Sequence, residues 1–294
     1  MHQALIKFME EQKVMLLQEM DDVLGRLDIP NNLKDSMAYS LQAGGKRLRP
    51  VLLAASNAAY DSNPKKIQSS ALALEMIHTY SLIHDDLPAM DDDDYRRGKL
   101  TNHKKFDEAT AILAGDALLT YSFELIAGDP ELSDTEKVQL IKMLASASGP
   151  EGMVAGQILD MEAERKPASL AELERIHALK TGALLEFAIH AGAYLGKASA
   201  EQLSHLKEFA HYLGLIFQVQ DDLLDVTGDP EKLGKPVGSD VANEKSTYPK
   251  LLGLDGAEEM KEIYVQKAKT ALVEAGAADS YLMLLIDHIS RRDH

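Results

Sequence analysis

Between positions 78 and 97 the chain reads His-Thr-Tyr-Ser-Leu-Ile-His-Asp-Asp-Leu-Pro-Ala-Met-Asp-Asp-Asp-Asp-Tyr-Arg-Arg, with six aspartates inside ten positions directly after an apolar run. That run, Ile67 to Ile83, sets Leu72, Leu74, Met76, Ile77, Leu82 and Ile83 among small residues, the pattern of a buried helix rather than a surface one. Carboxylates at its end sit at the rim of a core. Crowded there, they repel one another and take up protons unless positive charge joins them, and hard divalent cations with oxygen ligands are the usual partners. Arg96 and Arg97 follow at once, and guanidinium forks match phosphate oxygens. Alone, the window also reads as a solvated acidic loop with a basic neighbour.

A second window narrows the choice. Residues 209 to 225, Phe-Ala-His-Tyr-Leu-Gly-Leu-Ile-Phe-Gln-Val-Gln-Asp-Asp-Leu-Leu-Asp, form another apolar helical run ending in paired aspartates, 136 positions after the first pair. Asp221 and Asp225 are four apart and share a helix face, with Gln218 one turn earlier on the same side. In the first window Pro88 and two additional residues interrupt the spacing, so Asp85 and Asp91 converge only if the helix end bulges or unwinds. Two acidic helix ends can then face each other across one pocket.

The 294 residues carry a formal net charge of −16, which argues against nucleic acid or an anionic membrane as the main partner. There is no cysteine, which excludes disulfides, thiolate metal sites and cysteine nucleophiles and suits a reducing cytoplasm. The first residues alternate charge with apolar side chains and lack a signal core. The longest run free of Asp, Glu, Lys and Arg, Phe209 to Gln220, has twelve residues, short of the ~20 that a spanning helix needs.

Taken in order, helical periodicity covers about 2–24, 32–43, 50–60, 67–83, 108–127, 134–148, 151–164, 169–195 and 209–225, with two more helices near 256–275 and 278–290. Ala-Gly-Gly-Lys-Arg-Leu-Arg-Pro at 43 to 50 frees the backbone before a helix start flanked by Lys46, Arg47 and Arg49, an anion site in form. The 151–164 helix holds Gly156, Gln157 and Asp160, the last two on adjacent turns of one face. Lys180-Thr181-Gly182 interrupts the 169–195 stretch, where either Gly182 permits a kink that exposes carbonyls and turns Lys180 and Thr181 inward, or a surface lysine sits beside a tolerated glycine. The least regular piece is Thr227 to Pro249, a long basic loop with Lys235 and Lys245. No strand pattern appears with conviction. The expected fold is therefore all-α: a single-domain bundle (1–294) of ten or more helices around a central active-site cavity.

Two carboxylate clusters and scattered phosphate-binding cations in an apolar bundle suggest a magnesium-bridged diphosphate beside a greasy chain. No Walker loop, Ser-His-Asp set or dinucleotide turn is visible, which disfavours nucleotide hydrolysis, acyl transfer and hydride transfer. Taken together, Gly44-Gly45-Lys46-Arg47-Leu48-Arg49-Pro50, Asp85-Asp86-Leu-Pro-Ala-Met-Asp91 with Arg96-Arg97-Gly98, Lys180-Thr181-Gly182 and Phe217-Gln218-Val-Gln-Asp221-Asp222-Leu-Leu-Asp225 are highly specific. Over essentially its whole length the chain resembles the short-chain trans-polyprenyl diphosphate synthases, most of all the bacterial farnesyl-forming ones.

The resemblance implies head-to-tail joining of an allylic diphosphate to isopentenyl diphosphate by ionisation, condensation and proton loss, in a cytoplasmic homodimer using Mg2+ or Mn2+. It implies that Asp85, Asp91 and Asp221 ligate the metal, with Asp86, Asp222 and Asp225 as supporting or water-mediated groups. Arg96, Lys180 and Lys235 would hold the allylic diphosphate, and Lys245 would help close the site. Lys46, Arg49, His78 and Arg97 would hold isopentenyl diphosphate. Thr181, Gln218 and the carbonyl of Lys180 would face the developing cation. His78 lies seven positions before Asp85, two turns down the same face, which favours its binding role; His84 lacks that alignment and reads as structural.

Product length is expected to be set beneath Asp85. An isoprene unit is about one helical turn long, ~5.4 Å, so a bulky side chain a turn below the aspartates stops growth after few additions. Tyr80, five positions before Asp85 and beside small Ser81, is that side chain. Geranyl and geranylgeranyl diphosphate synthases are the near alternatives, and a non-catalytic subunit of a heteromeric prenyl synthase is a more distant one. A class I terpene cyclase would carry an Asn/Ser/Glu second motif in place of Asp221-Asp222-x-x-Asp225. Arg291 and Arg292 near the end either fold over the site or fray.

Overall fold

The computed structural model describes residues 2–163, 168–228 and 246–292. Within them the chain runs α1 (His2–Arg26), α2 (Asn31–Leu41), α3 (Leu48–Ala58) and α4 (Gln68–Asp85), then a two-stranded ribbon, β1 (Tyr95–Arg96) and β2 (Lys99–Leu100). There follow α5 (Asn102–Lys105), α6 (Glu108–Gly128), α7 (Asp134–Ser148), α8 (Met153–Ala163) and α9 (Leu170–His177). A π-helical turn (Ala178–Gly182) leads into α10 (Ala183–Leu195), and α11 (Ala200–Thr227), α12 (Tyr248–Glu274) and α13 (Tyr281–Ser290) complete the order. The all-α bundle expected from periodicity is what forms.

Several helix starts follow from local chemistry. Ser133, Ser169 and Ser199 each accept a hydrogen bond from the backbone N–H three residues on, and Glu136, Glu172 and Gln202 return the bond in a capping box. Thr247 caps α12, with Pro249 in its first turn. The core is aliphatic: α3, α4, α10 and α11 bury Leu52, Leu53, Leu72, Met76, Leu184, Ile189, Leu213 and Ile216. Helices α3 and α10 approach closely because Gly192 has no side chain, its backbone facing the Leu53 carbonyl. Ser56 Oγ donates to the Ile189 carbonyl at 2.6 Å and Asn57 to that of Gly192 at 3.2 Å, so no polar group is stranded at that crossing. The first and last helices meet where Phe8 stacks on Tyr281, centroids 4.1 Å apart.

Three departures from the expected outline stand out. The basic stretch after them is a β-hairpin, its tip Arg97-Gly98 at φ 54° and 74°, a two-residue turn with both centres left-handed. The break in the 169–195 stretch is no glycine kink: Gly182 has helical angles, φ −66° and ψ −36°, and the interruption is the π-turn that it ends. The helix carrying the second window begins at Ala200, longer than the apolar run alone suggests. Most of the basic loop, Lys235 and Lys245 included, lies outside the described residues.

Among the described residues one helix, Glu108–Gly128, is long and apolar enough to cross a membrane. Its inner side packs on α4, with Ala111, Ala114 and Leu118 fully buried, while Ile112 and Leu113 stand exposed.

One buried ion pair joins three elements. Arg47, the left-handed residue (φ 50°) before α3, places its guanidinium 2.5 Å from Glu75 of α4 and also donates to the carbonyl of Leu41 at the end of α2. Both side chains are at most 3% exposed. Breaking such a pair strands a buried charge. Glu75→Ala is expected to lower unfolding free energy by about 3–5 kcal/mol, and Arg47→Met with Glu75→Leu to recover most of it. Urea denaturation measures both, and a single variant within about 1 kcal/mol of the parent would refute the assignment.

Candidate active site

The first aspartate window closes on itself. α4 ends at Asp85, the chain turns through Pro88, and the N–H of Asp91 returns to the Asp85 carbonyl at 2.9 Å while that of Asp92 bonds Leu87 O at 3.1 Å. The two extra residues are thus absorbed by an unwound turn that brings Asp91 back beside Asp85. Asp86 is 3% exposed and is gripped by Arg96, Nε and Nη2 both 2.6 Å from Oδ1. Burial raises the Asp86 carboxyl above its ordinary range against the pull of Arg96; the same contact raises Arg96, although burial opposes it. Asp92 and Asp94 face Lys104 at 3.9 and 2.8 Å.

Helix α8 reaches the same aspartates. Gln157 donates to Asp85 Oδ1, and Asp160 lies 2.6 Å from Lys180 Nζ, which is itself 4.0 Å from Asp85. The sequence placed Gln157 and Asp160 on one face but gave them no role; the helical offset was the available signal. The π-turn bridges the two windows, since Thr181, next to Lys180, donates to Gln218 of α11 at 3.4 Å. Gln218 continues to Asp222 at 3.3 Å, and Asp222 accepts the backbone N–H of Tyr248 at 3.0 Å, tying α11 to the start of α12.

The second window divides by depth. Asp221 keeps 43% of its side chain exposed, whereas Asp222 and Asp225 are 4% and 2% exposed. Sharing a face with Asp221 does not bring Asp225 to the mouth: it stays buried. Arg292 folds over: its Nη2 lies 2.5 Å from Asp221 and 3.0 Å from the Phe217 carbonyl, and its guanidinium sits 4.0 Å above the Phe217 ring. The Arg292 carbonyl is held by Gln220 at 2.8 Å, and Gln220 by buried Lys261 at 2.8 Å. Of the two tail alternatives, Arg292 takes the folded one.

Near the carboxylates lies a basic cluster. Gly44 and Gly45 (φ 92° and 108°) bend the loop so that Arg97, from the hairpin tip, donates to the Gly44 carbonyl at 2.5 Å and lies over Gly45, where a Cβ would collide with the guanidinium. Arg49 Nη1 is 3.3 Å from His78 Nε2. Burial, then Arg49, Arg97, Arg96 and Arg47, push His78 well below 6.5, so it is neutral and accepts from Arg49. Burial draws Arg49 down to about 10, with Glu75 and Asp221 pulling the other way. Lys46 is exposed at the loop tip. So much positive charge around a neutral imidazole is a seat for an anion.

Tyr80 is 7% exposed and meets the His84 ring edge-on at 5.7 Å; His84 in turn lies 3.1 Å from the Ile112 carbonyl, against Gly115 of α6. Ser81 donates to the His78 carbonyl at 2.8 Å. His84 is thus structural, as its alignment suggested.

The described carboxylates and imidazoles form no group of three converged for a metal. Magnesium commonly takes one or two carboxylates and completes its shell with water and substrate phosphate, and an open, oxygen-only donor set on two helix ends fits that habit. A cavity of about 150 Å³ is lined by Asp160, His177, Lys180, Thr181, Gln218 and Asp222, among others.

His177 supplies a pH signature. Burial lowers its pKa from 6.5 to about 4, with Lys180 helping and Asp160 opposing, and its ring stacks on Tyr248 at 6.0 Å. Folded, it stays neutral while the unfolded chain takes up a proton below pH 6.5, so stability falls as pH drops from 6.5 toward 4. The loss reaches about 3 kcal/mol from this residue. In urea titrations across that range His177→Phe is expected to lose stability less steeply than the parent, and parallel curves would refute the burial argument.

A family model described as polyprenyl synthetase matches residues 30–278. A farnesyl diphosphate synthase of Geobacillus stearothermophilus is 51% identical over 98% of this chain and 98% of its own length. One of Bacillus subtilis (strain 168) is 49% identical over all of both chains. A solved geranyltransferase from Legionella pneumophila superposes with a TM-score of 0.87 at 33% identity, covering 99% of this chain and 98% of that one. The chain belongs to the polyprenyl synthetase family.

Proposed function

We propose that the chain is a prenyltransferase that condenses dimethylallyl and then geranyl diphosphate with isopentenyl diphosphate to give farnesyl diphosphate, residues 1–294 acting as one catalytic domain. One observation carries this reading: the π-turn sets Lys180 against Asp85 of one acidic window and Thr181 against Gln218 of the other, with the Arg49–His78–Arg97 cluster alongside. Relatives about half identical over the full chain support it.

In this reading Asp85, Asp91 and Asp221, backed by Asp86, Asp222 and Asp225, hold Mg2+ or Mn2+, which when bound neutralises charge developing on the leaving diphosphate. Arg96, Lys180 and Lys235 orient the allylic diphosphate, and Lys245 helps close the site. Lys46, Arg49 and Arg97 grip isopentenyl diphosphate, relieving their mutual repulsion, while neutral His78 orients Arg49. The Lys180 carbonyl, the Thr181 hydroxyl and the Gln218 amide present dipoles to the allylic cation without a strong nucleophile beside it. No described side chain is an evident base, and the released diphosphate takes the final proton.

Both aspartate sets are intact, which weighs against the non-catalytic subunit. Geranyl or geranylgeranyl products are separated from farnesyl by the floor at Tyr80. Incubation with Mg2+, dimethylallyl and isopentenyl diphosphates, then dephosphorylation, is expected to yield farnesol only with metal, and Tyr80→Ala to shift the product to longer alcohols. An unchanged spectrum from Tyr80→Ala would discard the ruler, and no elongation by the parent would discard the enzyme reading.

A cytoplasmic homodimer completes the proposal. Ile112 and Leu113 on α6 are 42% and 59% exposed, an outward apolar face that a second copy would cover. Light scattering is expected to give twice the chain mass for the parent and the single mass for Leu113→Glu; a monomeric parent would overturn it.

A further inference from the structure

The π-turn is touched on its main chain by two helices, each at a glycine. On α8, a Cβ at Gly156 would stand 2.1 Å from Lys180 N, 2.6 Å from Lys180 Cα and 2.7 Å from Leu179 C. On α11, a Cβ at Gly214 would stand 3.2 Å from Gly182 Cα. Nothing flexible lies at the first contact; the obstruction is backbone. Each glycine also lies one turn before a side chain that engages the π-turn: Asp160 pairs with Lys180 at 2.6 Å, and Gln218 accepts from Thr181 at 3.4 Å. The spacing the glycines permit therefore fixes both contacts.

We infer that Gly156 and Gly214 are positioning residues that seat the π-turn, setting how far the Lys180 ammonium and the Thr181 hydroxyl reach toward the allylic diphosphate. The inference rests on the role proposed for Lys180. A turn displaced by the ångström or so that a methyl demands moves both groups together, while the isopentenyl diphosphate residues, on the loop before α3, in the first turn of α3, on α4 and on the hairpin, stay in place. π-Turns recur at functional sites, and here the backbone is held from both sides.

The test is steady-state kinetics with each substrate varied, together with calorimetric binding of inorganic diphosphate with Mg2+ and thermal melting. Gly156→Ala is expected to raise the allylic KM and weaken diphosphate binding about 10- to 100-fold, with a fall in kcat and the isopentenyl KM held within about twofold. Gly214→Ala, whose methyl needs only a few tenths of an ångström, is expected to move the same parameters in the same direction by less. Gly192→Ala is the control: its Cβ would stand 2.1 Å from the Leu53 carbonyl, an equally tight crossing away from the turn. It should lower the melting temperature without raising the allylic KM. If the alanine variants at 156 and 192 differ from the parent only in melting, the inference fails. If Gly156→Ala cannot be purified, an unchanged ratio of the two KM values in Gly214→Ala overturns it. Should Lys180→Ala itself leave the allylic KM unaltered, it is the role of Lys180 that fails.

Discussion

Two helices that bring aspartates to one pocket create a repulsion that the rest of the site exists to manage. Among the described residues, four cations are placed against it: Arg96 on Asp86, Lys104 on Asp92 and Asp94, Lys180 between Asp160 and Asp85, Arg292 on Asp221. The acid-rich composition, with its net charge of −16, makes this local bookkeeping of charge necessary. In the neighbouring basic cluster the sign reverses, and Arg47, Arg49 and Arg97 are steadied by Glu75. Such a site holds like charges apart until a bound ion of opposite sign joins each set.

Main-chain irregularity concentrates where chemistry is expected. Of the non-glycine residues with positive φ, Arg47, Asp92 and Arg97 lie in the loop before α3, the acidic turn and the hairpin tip. Left-handed backbone at such residues costs of order 1–3 kcal/mol each and persists where surrounding contacts impose it. Arg47 is held by its bonds to Glu75 and Leu41, Arg97 by the Gly44 carbonyl. The strain aims side chains, and the regular bundle around it supplies the rigidity.

Much of this was readable in the residues. Apolar periodicity located the helices, and the 134–148 helix forms with those bounds. Pro88 signalled an unwound end to the first window, and the Asp91 return to Asp85 is that unwinding. Other features were not legible, for stated reasons. A π-turn and a kink at Gly182 leave the same trace, a polar interruption between apolar patches. The ribbon is two residues per strand, too short for alternation to register. The depth of Asp225 is set by tertiary packing, and the contact of Arg292 with Asp221 spans 71 positions, so neither is written in local sequence.

The π-turn has a consequence in terms of chain register. Between Leu170 and Leu195 it amounts to one residue more than an uninterrupted α-helix requires, and each residue turns a helix by about 100°. Deleting any one residue of the turn would let α9 and α10 fuse into a plain helix, and everything preceding the deletion would then rotate off its neighbours. Lys180 owes its inward aim to that surplus residue. A helix otherwise built for packing thus presents a polar turn through a single extra residue, and the composition of its buried faces need not change.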